Sequence, residues 1–167
     1  MSYHLRLMGK HDIAAVLAIQ EESYASELLE STEIIRQRLL AFPDLAWVAE
    51  DAHGVCAYLF GYRSHAGKVT PLDGAFAEPD APDCLYLHDL AVARRAAGRG
   101  IGPALVQRNL EHGLASRLKY SALVSVQDSA AFWSRLGYAA EAALDSAQQR
   151  NLASYGVPAV YMVKPLH

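Results

Sequence analysis

The sequence predicts one domain of the α/β (α+β) class, covering residues 1–167, and three observations support this. Segments with the β-branched or alternating pattern of strands are interspersed with segments that repeat apolar residues at helical spacing. A chain of 167 residues suits one hydrophobic core, because domains of about 100 to 200 residues are typical. Hydrophobic residues make up 52% and charged residues 20% of the chain, a globular composition that excludes disorder.

The first half of the chain predicts a strand, two helices and a hairpin. Asp12 stands as an N-cap before residues with helical spacing, and Ser31 or Thr32 begins a second helix that Pro43 stops. The polar turn 51–54, with its late glycine, joins two β-branched and aromatic runs into a hairpin. The predicted elements are a strand at 4–8, a helix from 13, a short connection at 24–30, a helix from 31 or 32, strands at 45–50 and 55–63, and a long surface loop at 64–83.

The second half begins with an almost continuously apolar segment, Cys84–Ala93, which predicts a buried strand. A glycine-rich turn and a helix with one apolar face follow it. The remaining predicted elements are the end of that helix near Arg117, a strand at Tyr120–Val126, a short helix capped by Asp128 or Ser129 and ended by Gly137, an irregular segment, and a final strand at Ala159–Lys164.

The charge balance and the cysteines exclude several classes of protein. With 15 basic and 18 acidic residues, the formal net charge of −3 argues against a nucleic-acid surface, which needs a basic stripe. Cys56 and Cys84 lie in apolar stretches without the spacing of a metal site or a disulfide framework, so we expect buried reduced thiols and no metal. The N-terminus has no apolar run of membrane length, and we expect a soluble, cytoplasmic protein.

The glycine-rich turn between the buried strand and the next helix is the strongest functional signal. Gly98, Gly100 and Gly102 allow the backbone to take unusual dihedral angles and to approach a ligand closely. The start of a helix presents free N–H groups and the positive end of the helix dipole to an anion. Arg95 and Arg99 add charge, so this turn predicts a phosphate site.

Two other phosphate-binding turns fit this segment poorly. A P-loop ends in Gly-Lys-Ser/Thr, whereas position 103 is proline and the turn contains no lysine. A dinucleotide-binding turn has the order G-x-G-x-x-G, whereas the order from Gly98 onward is G-x-G-x-G. Pro103 suits the first turn of a helix, where its missing N–H is not needed. Nucleotide binding at this turn is therefore a disfavoured alternative.

Two motifs resemble those of the GNAT acetyltransferases. The segment LYLHDLAVARRAAGRGIGPALV resembles their signature of a strand, R/Q-x-x-G-x-G/A and a helix, with Arg95, Gly98 and Gly100 at the defining positions. The segment SAAFWSRLGY, from Ser129 to Tyr138, resembles their second motif, A-x-x-F-Y-x-x-x-G-F. The resemblance covers nearly the whole chain. It implies a mixed, mostly antiparallel central sheet flanked by helices, in which two central strands splay apart.

The resemblance implies acetyl-CoA (coenzyme A) as cofactor, with its pantetheine arm in the gap between the splayed strands. Backbone groups of Leu90 and Val92 would pair with that arm, and the amides from Arg95 to Gly102 would bind the pyrophosphate. We therefore expect the cofactor to contact Leu90, Ala91, Val92, Arg95, Ala97, Gly98, Arg99, Gly100, Ile101, Gly102, Ser129, Phe132 and Trp133.

His88 and Asp89 are the candidate catalytic residues, because the amine must lose a proton to attack. The ordinary pKa of histidine, about 6.5, lies near working pH, and His88 precedes Leu90 by two residues, on the same strand parity. L-H-D-L-A-V is similar to the L-H-x-L-A-V of arylalkylamine N-acetyltransferases, although Tyr86 stands where those have a second histidine. The alternative for His88 is a histidine that is satisfied in the core and has only a structural role. In a regular strand Asp89 faces the opposite side, where it would be a structural hydrogen-bond partner, unless a bulge turns it toward the site.

Position 133 departs from the family's pattern. The usual general acid is the tyrosine of the F-Y pair, whereas Trp133 can donate a hydrogen bond but cannot act as an acid. Solvent could protonate the departing thiolate, another tyrosine (Tyr138, Tyr155 or Tyr161) could replace the missing one, or the protein could bind CoA without catalysis. Trp133 itself would form a wall for the thioester or part of the core.

The connection at 24–30 and the loop at 64–83 are expected to shape the acceptor site, as they do in this family. Tyr24 and Tyr86 are the candidate substrate contacts. Acidic residues of the two segments could also receive an amine, namely Glu27, Glu30, Asp73, Glu78, Asp80 and Asp83. The sequence thus predicts an acetyl-CoA-dependent N-acetyltransferase for a primary amine of a small molecule, with a non-catalytic acyl-CoA-binding or regulatory module as the alternative. We expect no nucleic-acid or membrane partner, and a homodimer is compatible with this prediction.

Overall fold

A seven-stranded sheet runs through the protein in a computed structural model that describes residues 2–166. The strands are β1 (Tyr3–Leu7), β2 (Ala46–Asp51), β3 (Gly54–Ser64), β4 (Cys84–Val92), β5 (Tyr120–Val126), β6 (Ala139–Ala140) and β7 (Ala159–Pro165). The helices are α1 (Ile13–Ser23), α2 (Thr32–Ala41), α3 (Ile101–Ala115), α4 (Ala130–Arg135) and α5 (Ser146–Ala153), with short 3-10 turns at Lys10–Asp12, Ser26–Leu28 and Arg94–Ala96.

The strand order is β1-β2-β3-β4-β5-β7-β6. Neighbours in the first half of the sheet, β1 to β4, pair antiparallel, as do β5, β7 and β6. Strands β4 and β5 pair parallel, because α3 carries the chain back across the sheet between them. This arrangement confirms the predicted α/β domain with a mixed, mostly antiparallel sheet.

Helices cover both faces of the sheet. Gly113 of α3 allows that helix to lie close against β4, because a Cβ there would lie 3.2 Å from the side chain of Leu85. Helix α1 packs against β3 and β4 and also contacts α2. The buried residues form one core, and within it Cys56 and Cys84 are free, as predicted. Burial raises the pKa of the Cys84 thiol to about 12, which keeps it protonated.

Local chemistry explains where the predicted helices begin. The Ser31 hydroxyl accepts a hydrogen bond from the amide of Ile34 at 3.2 Å, so Ser31 caps α2 as expected. Helix α1 follows Asp12, but that carboxylate does not cap it. It accepts hydrogen bonds from the guanidinium of Arg6 at 2.8 and 2.9 Å and from the amide of Gly9 at 2.8 Å. Asp12 therefore fastens β1 to the start of the helix.

The segment predicted as irregular contains β6 and α5. Helix α5 has no buried residue, and Leu152 is its only large apolar side chain, so its sequence carries little of the apolar pattern that indicates a helix. Its start is nevertheless marked, because the Asp145 carboxylate accepts a hydrogen bond from the amide of Gln148 at 2.9 Å. Strand β6 has only two residues, which is too short for a sequence pattern.

Helix α5 and the residues after it hold the long loop, residues 65–83, by polar contacts to its backbone. Gln148 accepts from the amide of Val69 at 2.7 Å, and Asn151 donates to the Val69 carbonyl at 2.9 Å. The Tyr155 hydroxyl donates to the Thr70 carbonyl at 2.9 Å. The loop is thereby fixed beside the region where the sequence placed the acceptor.

Candidate active site

The two central strands splay apart as predicted. Strand β4 pairs with β5 from Cys84 to Leu87, whereas β5 beyond Leu123 pairs with β7 alone. The amide of Ala93 donates to β3 at 2.8 Å, so the alternation of the strand directs the backbone groups of Leu90 and Val92 into the gap. A wedge with unpaired strand backbone on one side results, and an extended amide-containing chain could pair there.

The glycine turn opens onto this wedge. Gly98 and Gly100 have φ of +78° and +75°, which favour glycine, and no other described atom lies within 4 Å of the position that a Cβ would take. Gly100 precedes the first residue of α3, so the free amides of that helix start at the same place. Gly102 has a different role, because a Cβ there would lie 3.5 Å from the ring of Phe132. The turn is therefore shaped for an anion.

The wedge and the turn form one cleft of about 520 Å³. Of the residues predicted to contact the cofactor, the cleft is lined by residues 90–92 and 97–102, Ser129, Phe132 and Trp133. Ala96, which belongs to the range of amides predicted to bind the pyrophosphate, lines it as well, and so does Pro103, which was not predicted. Pro103 directly follows that range, so its neighbours in the sequence could have indicated it.

Arg95 does not line the cleft in this structure. Its guanidinium binds both carboxylate oxygens of Asp51 at 2.9 and 3.0 Å and the carbonyls of Gly54 and Val55. Arg99 does line the cleft, and it also binds Asp51 at 2.9 Å. The hydrogen bonds of Arg99 and Arg95 hold the pKa of Asp51 well below its usual range. The β2–β3 hairpin thus anchors the turn from behind.

A β-bulge at His88 changes which side chains face the acceptor end. Phe60 lies opposite Asp89 and Gly61 lies opposite Leu87, so His88 is the extra residue. Strand parity suggested that His88 and Leu90 share a face, but in the structure they do not. Leu90 faces α3, whereas His88 and Asp89 both face the side of α1 and α2. The bulge that the sequence left open is therefore present, but it turns His88, whereas Asp89 faces the side opposite Leu90 as in a regular strand.

His88 is held by a buried chain of charged groups. Its Nε2 lies 3.0 Å from Oε2 of Glu30, and the guanidinium of Arg38 binds the two oxygens of Glu30 at 2.6 and 2.7 Å. The side chains of Arg38, Glu30 and His88 are 0%, 4% and 2% exposed. Burial opposes ionisation of Glu30, but His88 and Arg38 lower the pKa of this carboxyl below its usual range.

This contact determines how the imidazole is used. Because Nε2 donates to the carboxylate, the neutral ring carries its free lone pair on Nδ1. That atom is buried and has no hydrogen-bond partner among the residues described. Arg38 also donates to the carbonyl of Gly74 at 2.8 Å, and the amide of Asp73 donates to Glu30 at 2.8 Å. The long loop is therefore tied to the same group that holds the histidine.

Asp89 lies beside His88 in a different environment. Its Oδ2 accepts from the hydroxyl of Tyr58 at 2.8 Å, while its buried Oδ1 has no partner within the described part of the chain. Burial and the charge of Glu30 raise the pKa of Asp89, and burial and the charge of Asp89 raise the pKa of Tyr24 and Tyr58 well above their usual value. The pKa values of two neighbouring carboxyls are thus shifted in opposite directions, that of Glu30 downward and that of Asp89 upward.

Two smaller cavities continue the cleft from Trp133 toward this pair. The first, of about 240 Å³, lies between the ends of β4 and β5, and the second, of about 30 Å³, reaches Leu72 and Tyr155. Tyr24, His88 and Asp89 line both. Among the described residues, neither cavity is lined by a lysine or an arginine. The acceptor end is therefore small and has acidic groups in its wall.

The other tyrosines that the sequence suggested have structural contacts. Tyr86, a candidate substrate contact, is fully buried, and its hydroxyl accepts from the amide of Thr70 at 3.3 Å. Tyr138 bonds to the hydroxyl of Ser121 at 2.7 Å, and the hydroxyl of Tyr161 accepts from the amide of Gly67 at 2.7 Å. None of these three lines the cleft or its two continuations in the described structure.

The acidic candidates of the connection and the loop are dispersed. Glu30 is in the buried chain described above. Asp73 accepts from the amide of Ser31 at 2.8 Å, and Glu78 pairs with Arg63 at 2.9 Å. Asp83 accepts from the amide of Ala66 at 2.9 Å. Glu27 and Asp80 also lie outside the lining of the cleft and its continuations as described.

A sequence model of the acetyltransferase (GNAT) family matches residues 13–138 of the chain. The chain belongs to this family. The matched range includes the splayed strands, the glycine turn, His88 and Trp133. Family membership makes acetyl-CoA, or coenzyme A, its cofactor, and the cleft provides the unpaired strand and anion-binding turn that such a molecule needs. No curated protein matches the sequence.

Solved structures of GNAT proteins share the fold. Ard1 from Thermoplasma volcanium is 16% identical with a TM-score of 0.72, over 100% of this chain and 99% of that one. The GphF GNAT-like decarboxylase in complex with isobutyryl-CoA is 14% identical with a TM-score of 0.79, over 98% of this chain and 100% of that one. N-acetylglutamate synthase from Neisseria gonorrhoeae, complexed with coenzyme A and N-acetyl-glutamate, is 17% identical with a TM-score of 0.72, over 100% of this chain and 36% of that one. At these identities the likeness shows the fold.

The helices of residues 2–166 include none that is long and apolar enough to cross a membrane.

Proposed function

We propose that this protein transfers the acetyl group of acetyl-CoA to a primary amine of a small molecule, by direct attack of the amine on the thioester. The observation that carries the proposal is the position of His88 and Asp89. They line the cavity that continues the cofactor cleft beyond Trp133, and each has a buried atom, Nδ1 or Oδ1, without a hydrogen-bond partner among the described residues.

His88 is the proposed general base, acting through water. The tautomer set by Glu30 leaves its Nδ1 able to accept the proton that an incoming ammonium must lose. Arg38 keeps Glu30 ionised, so the imidazolium that forms has a counter-charge at 3.0 Å. The imidazolium of His88 then releases its proton to solvent, and the ring returns to its neutral form.

The wall of the acceptor end supports an amine that carries no carboxylate. Asp89 would attract an ammonium group, and no described lysine or arginine lines the cavities to pair with an anion. Leu28, Leu72, Val124 and Val126 offer apolar contacts for the body of the substrate. Cavities of about 240 and 30 Å³ suit a small molecule better than a folded protein chain.

Turnover with a panel of acceptors tests the proposal. The protein and acetyl-CoA are mixed with small primary amines, amino acids and N-terminal peptides, and CoA thiol release and the mass of the acetylated product are followed. We expect release with compact, carboxylate-free amines, and a slower rate at low pH that His88→Ala alters. Binding of CoA without release from any acceptor would contradict the proposal.

The substitution at position 133 favours a second candidate, a non-catalytic acyl-CoA-binding module. Trp133 replaces the phenol that the family's usual chemistry employs, and it is 8% exposed in the wall shared by the cleft and its first continuation. Such a module would show a higher melting temperature with CoA but no turnover. The same panel separates the two candidates.

A further inference from the structure

The hydroxyl of Tyr24 lies in the gap between the splayed strands. It donates a hydrogen bond to the carbonyl of Leu90 at 2.8 Å. That carbonyl belongs to the unpaired edge of β4 described above, along which the cofactor's arm is expected to run. Tyr24 also lines both continuations of the cleft together with Asp89. A phenol therefore stands between the carboxyl and the cofactor's path.

The backbone around Tyr24 is fixed from the opposite strand. Gln127, directly after β5, accepts from the amide of Ala25 at 2.9 Å and donates to the carbonyl of Ser23 at 3.2 Å. These two contacts hold the residues on either side of Tyr24, where α1 ends. Gln127 itself has φ of +53°, an uncommon conformation for a residue other than glycine. The phenol is thus positioned by both strands that form the gap.

The proposed reaction needs a proton donor close to the sulfur of CoA. When the amine attacks, the carbon–sulfur bond breaks and the electron pair remains on the sulfur of CoA, which must then gain a proton. Trp133 cannot supply it. The hydroxyls of Tyr138 and Tyr161 are bonded elsewhere, away from the cleft. Tyr155 lines the second continuation, but its hydroxyl donates to the carbonyl of Thr70 at 2.9 Å and not toward the gap between the strands.

The geometry points to Tyr24 as the catalytic residue that protonates the departing thiolate, with Asp89 supplying the replacement proton. This inference rests on the proposed acetyl transfer. As the nitrogen–carbon bond forms, the second proton of the nitrogen passes to Asp89. The hydroxyl of Tyr24 gives its proton to the sulfur and regains one from Asp89. Both groups end in their starting forms, and the products are the N-acetyl amine and CoA thiol.

The protonation states suit such a relay. Burial and the charge of Asp89 raise the pKa of Tyr24 well above its usual value, so the phenol keeps its proton until the thiolate forms. Burial and the charge of Glu30 raise the pKa of Asp89, so this carboxyl holds a proton more readily than an exposed aspartate. His88 is left to accept the first proton, from the ammonium.

Steady-state kinetics of Tyr24→Phe tests the inference, with Tyr138→Phe as the matched control. Each variant loses one tyrosine hydroxyl, from the half-buried Tyr24 or from the buried Tyr138, and Tyr138 lies outside the cleft. We expect Tyr24→Phe to lower kcat by about 100-fold, the lower range for general acid catalysis, while the Kd for CoA changes less than about threefold. Tyr138→Phe should keep most of its kcat. Thermal melting of both variants checks that they are folded.

The double variant Tyr24→Phe/Trp133→Tyr adds a second readout, because it returns a phenol to the family's usual position. Partial recovery of kcat would support the assignment, since a merely structural role of Tyr24 gives no reason for it. The inference is overturned if Tyr24→Phe keeps a kcat within about threefold of the wild type, or if its CoA affinity falls as much as its kcat. Wild-type protein without turnover would instead overturn the proposed function, on a different measurement.

Discussion

The two ends of the cleft are built in different ways. At the cofactor end, one continuous segment, residues 96–103, supplies the turn, and we expect its backbone to do most of the binding. At the acceptor end, side chains come from the end of α1, the connection to α2, the bulge of β4 and the end of β5. The turn at the first end has positive φ at Gly98 and Gly100 and one charged lining residue, Arg99, whereas the second end contains a buried chain of charges.

This difference determines what each end tolerates. A backbone site depends on φ and on space, so changes that add a Cβ should matter there more than changes of charge. A buried charged network depends on every partner being present, because one unpaired member costs several kcal/mol. We therefore expect substitutions at the cofactor end to act on CoA affinity, and substitutions at the acceptor end to act on stability and on the proposed chemistry.

The largest effect is expected from Glu30→Gln, at the acceptor end. It leaves the guanidinium of Arg38, which is 0% exposed, without a counter-charge, and should lower the free energy of unfolding by about 3–5 kcal/mol. Urea denaturation measures this. Glu33→Gln is the control, since Glu33 is an exposed residue of the same region that pairs with Arg36 at 3.4 Å, and it should cost at most about 0.5 kcal/mol. Equal losses for the two variants would show that the chain of charges does not hold this end together.

At the cofactor end, Gly100→Val should weaken CoA binding more than it weakens the fold. A left-handed backbone costs a residue with a side chain roughly 1–2 kcal/mol, which corresponds to about 5- to 30-fold in affinity if the turn reshapes. Gly102→Ala is the matched control, because its Cβ would meet Phe132 at 3.5 Å, an ordinary contact, and its affinity should stay within about twofold. Calorimetric titration with CoA measures both. An unchanged affinity for Gly100→Val would mean that the turn does not bind the pyrophosphate.

The same difference explains what could be predicted from the sequence. The turn and the second motif are contiguous, so glycine spacing and helix position were enough to indicate the cleft. Arg38 is not among the site residues that the sequence predicts. There was a usable signal for a buried pair, because Arg38 lies among apolar residues of a helix and Glu30 lies eight positions earlier. The bulge at His88 depends on pairing between strands, and a local hint of it is Gly61 of β3, which lies opposite Leu87 beside the bulge.

Helix α5 shows a second limit of sequence patterns. Its side chains bind the loop backbone through amides, such as those of Gln148 and Asn151, and bury no apolar face. Hydrophobic periodicity therefore has nothing to detect. The capping residue Asp145 and the positive φ of Gly156 shortly after the helix were the available signals.

The opposite pKa shifts at the acceptor end predict a characteristic pH dependence for Asp89→Asn. The folded-state pKa of Asp89 is raised above the unfolded value of about 3.9 by burial and by Glu30, so the folded state binds the proton more tightly. The stability that this proton contributes is present below pH of about 3.9 and is lost as pH rises through the folded pKa. Asp89→Asn should therefore gain stability relative to the wild type between pH 4 and pH 7, as measured by urea denaturation.

Asp44→Asn provides the opposite slope as a control. Burial opposes ionisation of Asp44, but Arg63, at 2.8 Å, lowers its pKa overall. The stability that the ionised Asp44 contributes is present above the unfolded pKa and is lost as pH falls through the folded pKa. Asp44→Asn should therefore lose most stability relative to the wild type near neutral pH. Parallel curves for Asp89→Asn and Asp44→Asn would mean that Asp89 is not buried beside Glu30 as described.

The smallest effect is expected from Arg95→Ala, and it tests whether charge matters at the cofactor end. The Arg95 side chain binds Asp51 and the hairpin carbonyls and does not line the cleft, so CoA affinity should change less than about twofold. Arg99→Ala removes a side chain that lines the cleft and should weaken binding up to about fivefold. Both variants remove a guanidinium from Asp51, so each controls for the other's effect on the hairpin. A larger loss for Arg95→Ala than for Arg99→Ala would mean that Arg95 leaves Asp51 for the cofactor, and that side-chain charge, in addition to backbone, binds the pyrophosphate.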